Sequence, residues 1–155
     1  AHCDHADVAS LGACNFARDY KALLEVIATR GPDANTPPEV HIMIPPALMK
    51  NGAYSMNQTL INTVFPRLVP LIGEANGAAN GGVVKSVIDV YKGMGGVPAP
   101  AWRKELPADG CTLGSAWPPC AWYCDAQSCN PGQCHPNDAG CTHLAHVVAA
   151  GLGLA

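Results

Sequence analysis

Two short apolar runs, separated by one helix-length segment, constrain the fold of this chain more than any other feature. The first is Val40-His-Ile-Met-Ile44, stopped by Pro45-Pro46, and the second is Val83–Tyr91, ended by Gly93-Met-Gly-Gly96. Short, nearly continuous apolar runs bounded by turn residues read as strands buried in a parallel sheet. Between them, Ser55–Ile72 places Met56, Leu60, Val64 and Leu68 on one stripe. That stripe predicts a helix, which Pro66 and Pro70 kink or split. Strand, helix, strand is a βαβ unit, right-handed by the usual rule.

The flanks add helices. Phe16, Tyr20, Leu23, Leu24 and Ile27 recur at three- and four-residue steps and predict a helix over Phe16–Thr29, with Asn15 as N-cap and Gly31-Pro32 as its stop. Leu144, Ala145, Val147, Val148 and Leu152 predict a C-terminal helix over Thr142–Leu152, capped by Thr142. Gly73–Gly82 reads as a flexible connection. The fold class is therefore α/β, layered around a parallel sheet. Two strands are few for such a sheet, which needs several strands and helices on both faces. The remaining strands either hide in the last third or lie outside this chain.

The length of 155 residues suits one domain over 1–155, divided into a βαβ core (15–96), a cysteine-rich loop region (97–141) and the C-terminal helix (142–152). Apolar residues are 48% and the net charge is -3, so neither the signature of disorder nor the basic footprint of a nucleic-acid binder is present. No apolar run reaches the ~18 residues of a membrane span. Eight cysteines point to an oxidising compartment, hence a secreted, extracellular or lumenal protein. They read as four disulfides. Cys3–Cys14 and Cys129–Cys134 close local loops, and Cys111, Cys120, Cys124 and Cys141 pair among themselves. A chain that begins at Ala1 rather than Met reads as processed or as the continuation of a longer polypeptide.

Metal binding is not indicated. There is no CxxC pair, and the gaps around Cys124, Cys129, Cys134 and Cys141 do not match zinc spacing. His143 and His146 stand one helical turn apart, and His2 and His5 flank Cys3 at a terminus. Neither pair makes a ligand set, and no cofactor is expected. His41 reads as a core or sheet-rim residue. Trp102, Trp117, Trp122 and Tyr123 fall among prolines and cysteines and read first as plugs for the loop layer, with a sugar-binding platform as the alternative. Asn57-Gln-Thr59 is a glycosylation sequon, which makes the chain a candidate glycoprotein.

The most informative segment is Cys129-Asn-Pro-Gly-Gln-Cys-His-Pro-Asn-Asp-Ala-Gly-Cys-Thr-His-Leu-Ala145. A histidine on a loop just before a helix can present its imidazole at the rim of a sheet and accept a proton near neutral pH. His135-Pro-Asn-Asp138, followed by Ala-Gly and an apolar helix, closely resembles the last sequence block of the SGNH (GDSL-type) hydrolases. Val40-His-Ile-Met-Ile-Pro-Pro46, Met56-Asn-Gln-Thr-Leu-Ile-Asn-Thr-Val-Phe-Pro66 and Val87-Ile-Asp-Val90 look like the later strands and helices of secreted members. The resemblance covers roughly Phe16 to the C-terminus.

That resemblance implies a three-layer α/β/α sandwich, flavodoxin-like, of which this chain holds the later part. It implies ester or acetyl-ester hydrolysis on carbohydrate or lipid, with His135 as the general base of a serine nucleophile. The family's orienting acid normally lies three residues before the histidine, and here that position is Gly132. Asn130 is the nearest candidate for the role, with Asp125 and Asp138 as steric substitutes. The Gly-Asp-Ser and Gly-x-Asn-Asp blocks are absent, and Ser10, Ser55, Ser86, Ser115 and Ser128 lack a nucleophile-elbow context. By this reading the chain is not active alone. A second polypeptide, or an upstream segment, completes the sheet in a heteromeric assembly and supplies serine and oxyanion donors. The alternative is a non-catalytic extracellular subunit that keeps the SGNH scaffold.

Overall fold

A computed structural model describes residues 3, 8–31, 36–97, 120–124 and 135–154. They comprise α1 (Asn15–Ala28), β1 (Val40–Ile44), α2 (Phe65–Ala75), β2 (Val84–Asp89), the single turn α3 (Val90–Gly93) and α4 (Asp138–Gly151), with short 3-10 turns between. β1 and β2 form a two-stranded parallel sheet, so the class is α/β. The chain divides into two compact units. One contains Ala1–Met43 with Arg67–Ile88, and the other Ile44–Pro66 with Asp89–Ala155.

In the first unit, α1 starts one residue earlier than the hydrophobic pattern predicts, and its cap is Cys14 rather than Asn15. The Cys14 Sγ accepts from the Ala17 N–H at 3.3 Å, and Cys14 is joined to Cys3, as the spacing of the two suggested. α1 buries its Ala17 and Leu24 side. Phe16, Leu23 and Val26 of the adjoining stripe stay exposed, Leu23 and Val26 to more than half of their surface. A period of 3.6 identifies the helix, but which flank of the stripe is covered depends on the neighbours.

The strands are not covered evenly on both faces. Ile42 and Ile44 of β1 are buried while Met43 between them is 49% exposed, and β2 alternates between buried Val84 and Ile88 and exposed Lys85 and Asp89. α2 lies close on β2 at Gly73, where a Cβ would stand 2.3 Å from the Val87 side chain. Leu68, Val69 and Ile72 of α2 fill the core of this unit with Ile42, Val84 and Ile88. At the surface, Lys85 of β2 pairs with Glu39 and holds its carboxyl below the ordinary range, through the hydrogen bond first and charge second.

In the second unit, the helical run begins at Gln58 rather than Ser55. Asn57 Oδ1 accepts from the Leu60 N–H at 3.0 Å, so the start falls where a side chain can take the first free donors. Leu60–Val64 is a π-helical turn directly ahead of Pro66. Pro66 has no N–H to give to the Asn62 carbonyl, and the Tyr91 hydroxyl, which donates to the Val97 carbonyl at 2.7 Å, lies 3.3 Å from that oxygen. The second proline, Pro70, is carried inside α2 without ending it. The core of this unit contains Leu48, Met49, Val64, Val90, Tyr91, Met94, Cys120, Tyr123 and Cys124, and with them the fully buried Asn62.

The second apolar run pairs only to Asp89, whose carboxylate caps the turn α3 by accepting from the Lys92 N–H at 2.9 Å. α4 starts four residues earlier than the apolar spacing predicts. Asn137 is its cap, accepting from the Gly140 N–H at 2.8 Å, and Asp138 sits in the first turn, where a carboxylate suits the positive helix end. The disulfide set also differs from the sequence expectation. Cys120 and Cys124 are disulfide-bonded, but Cys141 is a free, exposed thiol, so it does not join that group. Its Sγ faces the Pro136 carbonyl at 4.0 Å from the exposed side of α4. Cys111, Cys129 and Cys134 lie outside the described residues, as do Trp102 and Trp117.

Candidate active site

His135 sits on the bend that feeds α4, and its side chain is exposed. Its backbone is fixed from one side by residues 121–124. Cys124 N–H donates to the His135 carbonyl at 2.9 Å, Pro136 bridges antiparallel to Tyr123, and Asn137 N–H donates to the Trp122 carbonyl at 3.0 Å. The Asn137 side chain adds two bonds, to the carbonyls of Ala121 (3.0 Å) and Tyr123 (3.2 Å). Asn137 therefore caps α4 and clamps the histidine bend with one side chain. Gly140 is the residue that permits this docking, since a Cβ there would lie 1.9 Å from the Trp122 carbonyl oxygen.

One helical turn on, His143 braces the same segment. Its ring stacks on Trp122 with centroids 4.0 Å apart and 15° between planes, and its Nε2–H donates to the Gly93 carbonyl at 2.8 Å. His143 is thus a structural staple that ties α4 to Trp122 and to Gly93. Trp122 and Tyr123 do pack the loop layer, as their place in the sequence suggested. Tyr123 is buried, and among the described residues its hydroxyl has no well-formed hydrogen bond. Burial holds its phenol well above the ordinary range, the neighbouring Tyr91 adds to this, and the nearby Ala47 backbone offsets a part.

The other wall at His135 comes from the loop that follows β1. The Tyr54 ring lies against the imidazole with centroids 5.3 Å apart, tilted by 31°. Tyr54 has φ 49° and Ser55 φ 62°, both left-handed, after Gly52 at φ 80°. Such a conformation costs a non-glycine residue on the order of 1 kcal/mol or more, so the surroundings must impose it. The loop closes on itself through the Gly52 N–H to the Met56 carbonyl at 3.0 Å, and Asn62 pins it upstream at Leu48. The Asn62 Oδ1 accepts from the Leu48 N–H at 2.8 Å and its Nδ2 donates to the Leu48 carbonyl at 2.9 Å. Gln58 Nε2 donates to the same carbonyl at 2.9 Å, and Asn51 Oδ1 accepts from the Gln58 N–H at 3.0 Å. Asn62 and Gln58 are functional candidates that periodicity could not single out. The signal was polar residues on a helix whose other positions are apolar.

Of the two site residues expected from the sequence, His135 is therefore exposed and rigidly framed. Asn130 lies outside the described residues, together with Gly132 and Asp125. Asp138 heads α4 three residues beyond the histidine. A serine–histidine hydrogen bond does exist elsewhere: His41 Nδ1 and Ser86 Oγ are 2.8 Å apart across the sheet. Ser86 stands in mid-strand on extended backbone rather than on an elbow, so the pair ties β1 to β2 and His41 is the sheet residue its position suggested. A cavity of about 780 Å³ in the first unit is lined by Glu39, Gly73, Asn80, Lys85, Ser86 and their neighbours, and its lining includes neither His135 nor Tyr54.

Among the described residues no helix is long and apolar enough to cross a membrane, and no group of three His, Cys, Asp or Glu is arranged to hold a metal ion. No protein-family model, no curated protein and no solved structure matches the chain.

Proposed function

We propose that this chain is the C-terminal part of a secreted esterase of the SGNH type, acting on ester or acetyl-ester groups of a carbohydrate or lipid, with His135 as general base. The observation that carries the reading is the framing of His135. An exposed imidazole stands directly ahead of a helix, on backbone locked to residues 121–124, with an aromatic ring beside it. A fixed bend with an aromatic neighbour suits a base that must meet its nucleophile in one geometry.

In the reading, a serine hydroxyl from a segment outside this chain gives its proton to the His135 imidazole as its oxygen attacks the ester carbonyl. Backbone donors of that segment hold the oxyanion. The imidazolium returns the proton to the departing alcohol, and water then repeats the cycle to release the acid. Asn130 is proposed to hold the far ring nitrogen. An amide there orients the ring but stabilises the imidazolium less than a carboxylate would.

The fold that goes with this reading is a three-layer α/β/α sandwich in which β1 and β2 are later strands, completed by the same missing segment. Exposed Phe16, Leu23, Val26 and Met43 fit a chain with an unfilled interface. Those residues equally favour the second reading, a non-catalytic extracellular assembly subunit on the same scaffold. Co-expression with the upstream coding region separates the two readings. The esterase reading expects a serine-directed fluorophosphonate to label the partner segment. The subunit reading expects none.

A further inference from the structure

We propose that Tyr54 is a positioning residue for the His135 imidazole, set in place by the Asn62 clamp on the loop after β1. The inference rests on the esterase reading above and adds to it a residue that no motif marks. The Tyr54 ring stands beside the His135 imidazole, centroids 5.3 Å apart and planes tilted by 31°, whereas the bonds from residues 121–124 reach only the backbone of the histidine bend. Backbone fixation leaves the ring free to turn about its side-chain torsions, and an aromatic wall removes part of that freedom.

The wall must itself stay in place, and the loop supplies the means. Tyr54 and Ser55 are both left-handed, a geometry a flexible loop would relax out of. They persist because the loop is pinned on both sides of them. Upstream, Leu48 is held through its N–H and carbonyl by Asn62, a residue with no exposed surface. Downstream, Gln58 returns to Asn51 and to Leu48, and the Met56 carbonyl accepts from the Gly52 N–H at 3.0 Å. The tyrosine is therefore aimed at the histidine by buried polar groups on the helix leading into α2. Being 52% exposed, it contributes little to the core it stands on.

The experiment has two arms, with Tyr54→Ala and Tyr54→Phe in this chain co-expressed with the segment that supplies the serine. In the first, the ring protons of His135 are followed by NMR, because a stacked aromatic ring shifts them by its ring current. Tyr54→Ala is expected to move them toward the values of an unstacked histidine, and Tyr54→Phe to leave them in place. In the second, hydrolysis of p-nitrophenyl acetate is measured. Tyr54→Ala is expected to lower kcat about tenfold with KM little changed, and Tyr54→Phe to restore it. Unmoved His135 resonances in Tyr54→Ala overturn the proposal. So does an undiminished kcat despite a resonance shift. A wild-type protein that hydrolyses nothing overturns the esterase reading and any catalytic positioning with it, while the resonances still decide whether Tyr54 holds the ring.

Discussion

The side-chain amide of Asn62 satisfies both backbone groups of Leu48, accepting from its N–H at 2.8 Å and donating to its carbonyl at 2.9 Å. An amide can do this because it offers a donor and an acceptor side by side, as a neighbouring strand would. A helix residue thus stands in for a missing strand partner at the point where the chain leaves the sheet and turns toward His135.

Asn62→Ala should be costly for that reason. It strands the Leu48 N–H in a buried site and leaves the Leu48 carbonyl with Gln58 alone. The expected loss is about 2–4 kcal/mol of folding free energy, read from urea denaturation. A loss below about 0.5 kcal/mol, the range of ordinary surface changes, would contradict the clamp.

Gly140→Ala tests the seat of α4. Its Cβ would meet the Trp122 carbonyl oxygen at 1.9 Å, and backbone cannot step aside as a flexible side chain can. We expect a loss of about 2 kcal/mol or more, with a lowered Tm, and a weakened Trp122–His143 stack. An unchanged Tm would show that the first turn of α4 does not dock as described.

Alkaline pH should destabilise the protein through its buried phenols. Burial pushes Tyr91 up to about 12, with the Asp89 carboxylate adding to the shift and the Val97 backbone bond opposing it. The unfolded chain releases that proton near its ordinary value of about 10. The folded state therefore holds a proton that the unfolded state has lost, and stability falls as pH rises from about 10 to about 12. Tyr123 acts in the same direction. Denaturation midpoints across that window should decline, and Tyr91→Phe should shallow the decline. A flat profile would contradict the burial assigned to both rings.

How much of this was legible beforehand differs by element. β1, β2 and the helix between them were readable because apolar runs and turn residues are local signals. The start of α4 was not readable from apolar spacing, because the Asn137 side chain sets it four residues before the first apolar position. The correct signal was an Asn after a Pro with an acid next. The buried flank of α1 could not be read from the stripe that holds Phe16 and Leu23, since burial depends on what packs alongside. The bend that carries His135 ahead of α4 was marked by its His-Pro-Asn-Asp block, whereas the ring beside it, Tyr54, was not. Its meeting with the histidine depends on two left-handed residues and a side-chain clamp, and neither leaves a periodic trace. The pairing of His41 with Ser86 likewise needs strand register, which alternation alone does not give.

The central claim is that His135 activates a serine held outside this chain. Fluorophosphonate labelling of the assembled protein, with His135 intact and with His135→Ala, tests it most directly. The account predicts one labelled serine in the upstream segment, with labelling lost in His135→Ala while Asn62 and Gly140 are untouched. No labelling of the intact assembly, or labelling that survives His135→Ala, would contradict it.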